Sequence, residues 1–383
     1  MQIWEKELMK IVLSEYSSGF SDYSWILCNE LIQYTGRLVY LTEQRNSYIS
    51  QIDQRTVVRQ LFLSFKMDEK HKKGSFLWLY DRGMTALRNC IRRNRYIKKT
   101  RPDAVLIQVT LSVFDSHFLK QLKKYSRIVM IVHDVIVPVK SLSWNKSSLK
   151  KTYDTADLLV VHSETNKKQM MEIFGTDERK IKVIPHGIRS TYHKLSKAEC
   201  RKRLGISSLE HVFLFYGSIR ESKGLDLLIE AMKGIDGTLI ISGMPFYGES
   251  FDKYKAMIHQ NKIKTIEFIE YTEDSFRDIL FQASDYMVLP YKEFYSQSGV
   301  FMQSIQFHLP VIASDVSSFR EYIEKYDIGY ICEPGNADSL HQAMQKACYE
   351  KRDYELQMKR AVRENCWEET SKMYYELLSQ CCR

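Results

Sequence analysis

The stretch HVFLFYGSIRESKGLDLLIEAMKGIDGTLIISG, residues 211–243, has a continuous apolar run at each end and a periodic segment in the middle. From Leu225 to Met232 the apolar residues recur at the spacing of one helix face, which predicts a helix over residues 223–234. Continuous apolar runs are typical of parallel strands that are covered on both faces. The order strand, helix, strand predicts a right-handed βαβ unit.

This alternation extends over most of the chain and predicts an α/β protein. Further strands are predicted at 10–16, 37–41, 104–109, 127–132, 157–162, 180–188, 265–271, 286–290 and 310–314. Further helices are predicted at 250–260, 274–283, 298–308 and 338–350, with a long helical region after residue 41. Two such sheets in tandem would enclose a cleft.

A chain of 383 residues exceeds the usual size of one hydrophobic core, so two domains are expected, residues 1–190 and 191–365. Residues 366–383 are predicted to form a helix that packs back toward the first domain. No run reaches the roughly 20 apolar residues of a membrane span, and residues 1–10 lack the apolar core of a signal peptide. We therefore expect a cytoplasmic protein whose eight scattered cysteines are reduced.

The positive charge is concentrated in the first half. Residues 1–190 carry 32 Lys and Arg against 19 Asp and Glu, a net charge of +13. Much of it lies in RNCIRRNRYIKKTR (88–101), which follows the aromatic stretch FLWLY (76–80). Cations beside exposed aromatic residues bind anionic lipid headgroups, which would place the protein at the inner face of the membrane. The alternative is a helix that packs its aromatic residues on a sheet, and nucleic acid is not expected as a partner.

Two cations lie where a helix is expected to start. Arg220 and Lys223 follow the predicted strand that ends at Gly217, although a helix start is already electropositive. Converging cations and free backbone N–H groups are favourable around an anion, and a diphosphate fits this description. The alternative is a surface loop whose cations point into water, paired with Glu221.

A second predicted helix start follows the strand over residues 286–289. Ser298 is a good N-cap residue, and Gly299 allows a ligand to approach the backbone closely. This start could bind a second anionic or hydroxylated group. Taken without the first site, the pattern equally fits an ordinary capped helix.

The chain resembles the family 4 glycosyltransferases in several segments that occur in the expected order. They are IVHD, VVHSE, VIPHGI, GSIRESKGLDLLIEA, ASDYMVLPYKE, SGV, HLPVIASD and GYICEPGNADSLHQAM. The resemblance implies the GT-B architecture, in which two Rossmann-like domains with parallel sheets face an interdomain cleft. It also implies a nucleotide-sugar donor and a sugar acceptor.

The resemblance further implies roles for individual residues. Arg220 and Lys223 would hold the donor diphosphate in the loop that begins at Gly217, and His133 would line the reacting cleft. Without the resemblance, a histidine at a strand end would be interpreted as structural. The remaining implied ligand residues are Ser18 and Gly19 on the acceptor side, and Ser298, Gly299 and Val300 on the donor side.

The sequence departs from the family at its paired glutamates, which are spaced E-x7-E. Gln303 occupies the second position and Tyr295 the first, while Glu293 lies two residues earlier. The amide of Gln303 can still hydrogen-bond ribose hydroxyls, since it both donates and accepts. Glu293 would reach the sugar if the loop bulges.

The expected reaction transfers a sugar from a nucleoside-diphosphate sugar to a glycan or lipid-linked acceptor. The chain has no D-x-D metal signature, so neither a metal ion nor another cofactor is expected, and the resemblance implies retention of configuration. Two alternatives remain at this stage: an inactive subunit that binds nucleotide sugars beside an active partner, and a GT-B sugar-nucleotide epimerase.

Overall fold

The chain forms two units, each built on one parallel sheet. The computed structural model describes residues 9–16, 21–65, 71–72, 74–108, 112–135, 142–246, 249–350 and 352–382. Contacts between residues divide the chain into unit 1, Met1–Gly187 with Trp367–Arg383, and unit 2, Ile188–Cys366. The last helix therefore belongs with the first half of the chain.

Unit 1 contains seven parallel strands in the order β3-β2-β1-β4-β5-β6-β7. The strands are β1 Lys10–Ser14, β2 Arg37–Glu43, β3 Val57–Phe62, β4 Ala104–Ile107, β5 Arg127–Ile131, β6 Leu158–Val161 and β7 Ile181–Val183. The helices are α1 Ser21–Leu31, α2 Phe76–Thr100, α3 Ser112–Leu122, α4 Leu142–Thr155, α5 Glu164–Phe174 and α14 Trp367–Cys381.

Both faces of this sheet are covered. Val12 belongs to one buried cluster, while its neighbours Ile11 and Leu13 belong to another, because successive side chains point to opposite faces. The C-terminal helix α14 packs on α1, where the hydroxyl groups of Tyr23 and Tyr374 lie 2.8 Å apart. The continuous apolar runs of the sequence are thus explained by burial on two sides.

The prediction of a long helical region after residue 41 is wrong in one part, because the segment Val57–Phe62 forms strand β3. This strand lies at the edge of the sheet, and most of its residues are exposed or half-buried. A single partner strand and an exposed face remove the continuous apolar run by which the other strands were identified.

Unit 2 contains six parallel strands in the order β10-β9-β8-β11-β12-β13. The strands are β8 His211–Tyr216, β9 Gly237–Ser242, β10 Thr265–Phe268, β11 Tyr286–Leu289, β12 Val311–Ser314 and β13 Gly329–Cys332. The helices are α6 Lys197–Leu204, α7 Leu225–Ala231, α8 Asp252–Asn261, α9 Asp274–Ala283, α10 Gly299–Gln306, α11 Phe319–Tyr326, α12 Ala337–Glu350 and α13 Glu355–Asn365.

The strand order of unit 2 is that of a Rossmann fold, in which the order reverses between the first and fourth strands of the unit. Those strands are β8 and β11, which pair in register between Phe213 and Tyr286. The prediction of an α/β protein with two parallel sheets is confirmed. In addition, no helix within the described ranges has the length and apolar character needed to cross a bilayer.

Candidate functional site

The loops that follow β8 and β11 meet where the strand order reverses. Gly224 lies in the left-handed region at φ +68°, and a Cβ atom at this position would overlap the carbonyl oxygen of Pro290. The backbone N–H of Lys292 donates to the carbonyl of Ser222 at 2.9 Å. Open α/β sheets bind ligands at this point, beyond the carboxyl ends of the strands.

The predicted helix start at Lys223 is wrong. Lys223 closes a separate 3-10 turn, Glu221–Lys223, and α7 begins only at Leu225. The left-handed Gly224 interrupts the helical backbone between them. Both cations therefore lie in the loop before the helix rather than in its first turn.

Gly217 begins this loop in a conformation that other residues rarely adopt, at φ +109°. Its N–H donates to the carbonyl of Ser242 at 2.9 Å, so the chain remains paired with its neighbour beyond the end of β8. A Cβ atom on Gly217 would lie 3.3 Å from Cγ2 of Val300. The start of α10 is therefore packed directly against the loop that carries the two cations.

Lys223 is a buried lysine without an acidic partner among the described residues. Its side chain ends between two aromatic rings, with Nζ 3.5 Å from the ring centroid of Tyr291 and 4.5 Å from that of Phe294. The residue is only 8% exposed, and it forms no ion pair within the described part of the chain. Burial, together with the nearby charge of Arg220, lowers the pKa of Lys223 to about 6.

Arg220 is half-buried and lies directly before the same turn. Its Nε–H group is buried and has no hydrogen-bond partner among the described residues, and its guanidinium carbon lies 5.6 Å from the ring centroid of Phe246. The charge of Arg220 therefore disfavours the charged form of Lys223, and no acid of the described residues forms an ion pair with either side chain. An anion with several oxygen atoms would satisfy both.

A third cation in the same pair of loops is paired. Nζ of Lys292 lies 2.7 Å from a carboxylate oxygen of Asp226, and both side chains are about one-third exposed. The lack of an acidic partner is thus a property of Arg220 and Lys223, not of every cation in these loops.

Ser298 caps α10, as predicted. Its Oγ accepts a hydrogen bond from the backbone N–H of Phe301 at 3.3 Å. Gly299 is exposed and Val300 is half-buried, at the helix start where the first N–H groups have no partner within the helix. The cap uses one lone pair of the Ser298 hydroxyl, so its O–H group and these backbone groups can still meet a ligand.

The two residues near the glutamate positions of the family differ in their surroundings. Gln303 is half-buried, and its Oε1 atom is buried without a hydrogen-bond partner among the described residues. Glu293 is exposed to solvent, as is Tyr295. Gln303 therefore has an unused acceptor, whereas Glu293 forms no ion pair with a cation of the described residues.

His133 lies in unit 1, directly beyond β5, and is buried. Its Nδ1 atom is 3.1 Å from Nε2 of His162, and its Nε2 atom is 3.4 Å from Oε1 of Gln108. Ser18 and Gly19, the predicted acceptor-side residues, lie outside the described ranges. The sequence interpretation identified His133 but not His162.

Sequence reasoning also missed Tyr291 and Phe294. Both occur in LPYKEF, which directly follows β11, and aromatic residues at the carboxyl end of a strand beside the switch point are a usable signal. They were not selected because an aromatic residue in a loop is usually part of the core. Only the packing of one loop on the other brings their rings to the Lys223 ammonium.

Fold and site together define a class of protein, one with two Rossmann-like units and a loop that carries Arg220 and Lys223 at a switch point. Within the described residues no cluster of three or more His, Cys, Asp or Glu side chains could hold a metal ion. The family described as "Glycosyl transferases group 1" matches residues 196–365, and that described as "Glycosyltransferase Family 4" matches residues 59–191. The chain belongs to family 4 of the glycosyltransferases.

Curated relatives match part of the chain at low identity. An uncharacterized glycosyltransferase of Methanocaldococcus jannaschii is 26% identical over 49% of this chain and 50% of its own length. The D-rhamnosyltransferase WbpZ of Pseudomonas aeruginosa is 25% identical over 60% of this chain and 59% of its own length. The chain thus spans about half to three-fifths of the length of these relatives.

Solved structures match almost the whole chain in fold. A sucrose-phosphate synthase of Thermosynechococcus elongatus has a TM-score of 0.78 at 15% identity and covers 97% of this chain and 98% of its own. Anabaena HepE in complex with UDP has a TM-score of 0.73 at 16% identity and covers 97% of this chain and 100% of its own. These similarities establish the fold that was predicted, GT-B.

Proposed function

We propose that the protein transfers a sugar from a nucleoside-diphosphate sugar to a glycan or lipid-linked acceptor. The observation that carries the proposal is the pair Arg220 and Lys223, two cations without acidic partners at the switch point of unit 2. A diphosphate supplies the missing negative charge. The solved HepE structure with UDP, which has the same fold, supports this choice of ligand.

The proposed chemistry relies on fixed positive charge at the leaving group. When the bond between sugar and phosphate breaks, negative charge grows on the departing diphosphate, and Arg220 and Lys223 stabilise it. Each such donor contributes on the order of 3 kcal/mol to transition-state stabilisation in comparable sites. Backbone N–H groups at Gly299 and Val300 would add donors, so that the reaction needs no metal ion or cofactor.

The low pKa of Lys223 fits a site that is completed by its ligand. Without an anion, burial and the charge of Arg220 favour the neutral amine. A bound diphosphate favours the charged form, because an opposite charge within a few ångströms raises the pKa of an amine. Lys223 would therefore take up a proton as the donor binds.

The remaining residues are assigned by the family pattern. Gln303, with its unused Oε1 acceptor, would accept a hydrogen bond from a ribose hydroxyl. His133 and Glu293 would contact the reacting groups, and the configuration at the anomeric carbon would be retained. Product analysis by NMR tests the stereochemistry, and an inverted product would contradict retention.

A thermal-shift screen with UDP, GDP, ADP and their sugars is the direct test. We expect one nucleotide series to raise the melting temperature of the wild-type chain. The same nucleotides should not change the melting temperature of Lys223→Met. Lys292→Met is the matched control, because it removes a cation that is already paired, and it should retain the shift. No shift with any nucleotide would overturn the proposal, and binding without turnover would indicate an inactive binding subunit.

We further propose that the acceptor side acts at the inner face of a membrane, in the assembly of a surface polysaccharide or glycolipid. The alternative, a helix that packs its aromatic residues on the sheet, is contradicted at the start of α2. Four side chains there are more than half exposed: Phe76 80%, Leu77 58%, Leu79 56% and Tyr80 57%. Farther along α2, the exposed cations are Arg82, Arg88, Arg95, Lys98 and Lys99.

Sedimentation with liposomes tests the membrane contact. The protein is expected to sediment with vesicles that contain anionic lipid, not with neutral vesicles, and to be released by high salt. Replacing Phe76 and Leu77 by Ser should abolish binding, whereas Leu209→Ser, at a residue that is 92% exposed in unit 2, should not. Equal binding of all variants, or none to anionic vesicles, would contradict the membrane proposal.

A further inference from the structure

Three histidines follow three neighbouring strands of the sheet in unit 1. His133 lies beyond β5, His162 beyond β6 and His186 beyond β7, so all three lie at the carboxyl edge of the sheet. The ring centroids of His133 and His162 are 5.0 Å apart, and those of His162 and His186 are 5.5 Å apart. The ring of Tyr23 packs against all three.

The hydrogen bonds determine where the proton of His162 lies. Nδ1 of His162 is 3.0 Å from the carbonyl oxygen of Ile184, and a carbonyl only accepts, so Nδ1 carries the proton. Burial, followed by the neighbouring His186, lowers the pKa of His162 to about 3, so the ring is neutral. Its Nε2 atom is therefore an acceptor.

The same argument determines the proton of His133. Nε2 of His162 is an acceptor, so the atom 3.1 Å away, Nδ1 of His133, must donate. Burial and the two neighbouring histidines lower the pKa of His133 well below its ordinary value, so this ring is also neutral. Its proton is on Nδ1, and Nε2 has a lone pair.

Gln108 is consistent with this arrangement. Its Oε1 atom is placed 3.4 Å from Nε2 of His133, while its own Nε2 atom is buried without a partner among the described residues. Oxygen and nitrogen of a side-chain amide are nearly indistinguishable in shape. A rotated amide lets Gln108 donate to His133, over a contact long enough to be replaced by a better donor.

We propose that His162 is a positioning residue that fixes the proton of His133 on Nδ1, so that Nε2 of His133 accepts a hydrogen bond from a sugar or acceptor hydroxyl. This inference rests on the proposed function for the identity of the hydroxyl. It assigns His133 a role different from that of Arg220 and Lys223. A neutral imidazole with this tautomer holds a hydroxyl group and does not bind a phosphate as a cation.

The test is the nitrogen NMR spectrum of the full chain labelled with ¹⁵N-histidine, recorded without substrate at neutral pH. Both rings are expected to show a protonated Nδ1 and an unprotonated Nε2, with the signals of His133 assigned by their loss in His133→Gln. A proton on Nε2 of His133, or a cationic ring, would overturn the inference. The wild-type spectrum decides this even if a variant fails to fold.

Variants distinguish the positioning role of His162 from a role in packing alone. His162→Phe keeps a ring but has no acceptor, so the Nδ1 tautomer of His133 should be lost and kcat/KM should fall about tenfold, the effect of losing one hydrogen bond. His162→Gln restores an acceptor oxygen and should restore the tautomer. His186→Phe is the matched control: its Nδ1 bonds to the carbonyl of Gly187, so the His133 tautomer should be retained.

The two proposals fail separately. If His133 has the stated tautomer but the chain transfers no sugar, the proposed function is contradicted and the positioning of His133 by His162 is retained. If the chain transfers sugar while His162→Phe leaves the spectrum of His133 unchanged, only the positioning role of His162 is contradicted.

Discussion

Two buried cations, one in each unit, have opposite surroundings. Arg93 in unit 1 is fully buried beside the equally buried Asp115, with Nη2 and Oδ1 2.8 Å apart, and its guanidinium carbon lies 5.0 Å from the ring centroid of Tyr16. Lys223 in unit 2 is also buried and also faces aromatic rings, but it has a second cation, Arg220, where Arg93 has an acid. The charge of Arg93 is balanced by an acid within the fold, whereas no described acid pairs with Lys223, and its pKa is lowered to about 6.

The difference shows how a buried charge distinguishes a structural site from a ligand site. A buried ion is costly unless an opposite charge and hydrogen bonds compensate for lost hydration. In unit 1 the chain itself supplies the opposite charge, Asp115, although Nε and Nη1 of Arg93 have no hydrogen-bond partner among the described residues. In unit 2 Lys223 either loses its proton or is compensated by a bound anion, and this favours the site as the one that binds the donor diphosphate.

The largest effect on stability is expected when the structural pair is broken. Asp115→Ala leaves the guanidinium of Arg93 buried without its acid and should lower the free energy of unfolding by about 3–5 kcal/mol. Urea unfolding of the full chain measures this. Asp154→Ala is the control, because its ion pair with Lys150 is half exposed at both ends and should contribute little. Equal losses in the two variants would mean that burial does not distinguish them.

The next effect is on catalysis. Arg220→Ala and Lys223→Ala should each slow transfer by two or more orders of magnitude, about 3 kcal/mol, while the fold without ligand, measured by circular dichroism, is retained. Kinetics with the donor identified by thermal shift provide the measurement. Lys292→Ala removes a paired cation from the same loops and should have a much smaller effect. Near-normal turnover of both Ala variants would contradict the proposed role.

The third effect depends on pH. The pKa of Lys223 is about 6 in the folded protein, below the ordinary value of 10.5, so the unfolded chain binds more protons between these values. The free energy of unfolding should therefore rise with pH across this window, by up to about 1.4 kcal/mol per pH unit, relative to Lys223→Met. Denaturant unfolding at a series of pH values tests this, and parallel curves for the two proteins would contradict it.

The smallest effect concerns two half-buried amides. Gln303→Leu removes an acceptor without a protein partner, so donor KM should rise about fivefold, or about 1 kcal/mol, with stability unchanged. Gln282 is satisfied by Leu195 N–H and by the carbonyls of His193 and Asp278, so Gln282→Leu should reduce stability and leave donor KM unchanged. The same changes in donor KM and stability in both variants would contradict the assignment of Gln303 to the donor and of Gln282 to the fold.

Local sequence patterns predicted most of the elements. Helix α9 was predicted at its observed bounds, Asp274–Ala283, because its apolar spacing lies between clear breaks. Strand β3 was missed, since an exposed edge strand lacks the continuous apolar run of a buried one. The helix start at Lys223 was placed too early because the left-handed conformation of Gly224 depends on contact with Pro290, which is distant in sequence.

The sequence by itself determined the alternation of strands and helices, the family, the cap at Ser298 and the presence of two cations after β8. The elements, the cap and the cations depend on neighbours within a few residues, and the family is indicated by the order of several short segments along the chain. The tertiary structure decided that Lys223 is buried between Tyr291 and Phe294 without an acid, and that His162 holds His133. Desolvation, charge pairing and tautomer depend on which distant groups fold into contact, and no local pattern encodes that proximity.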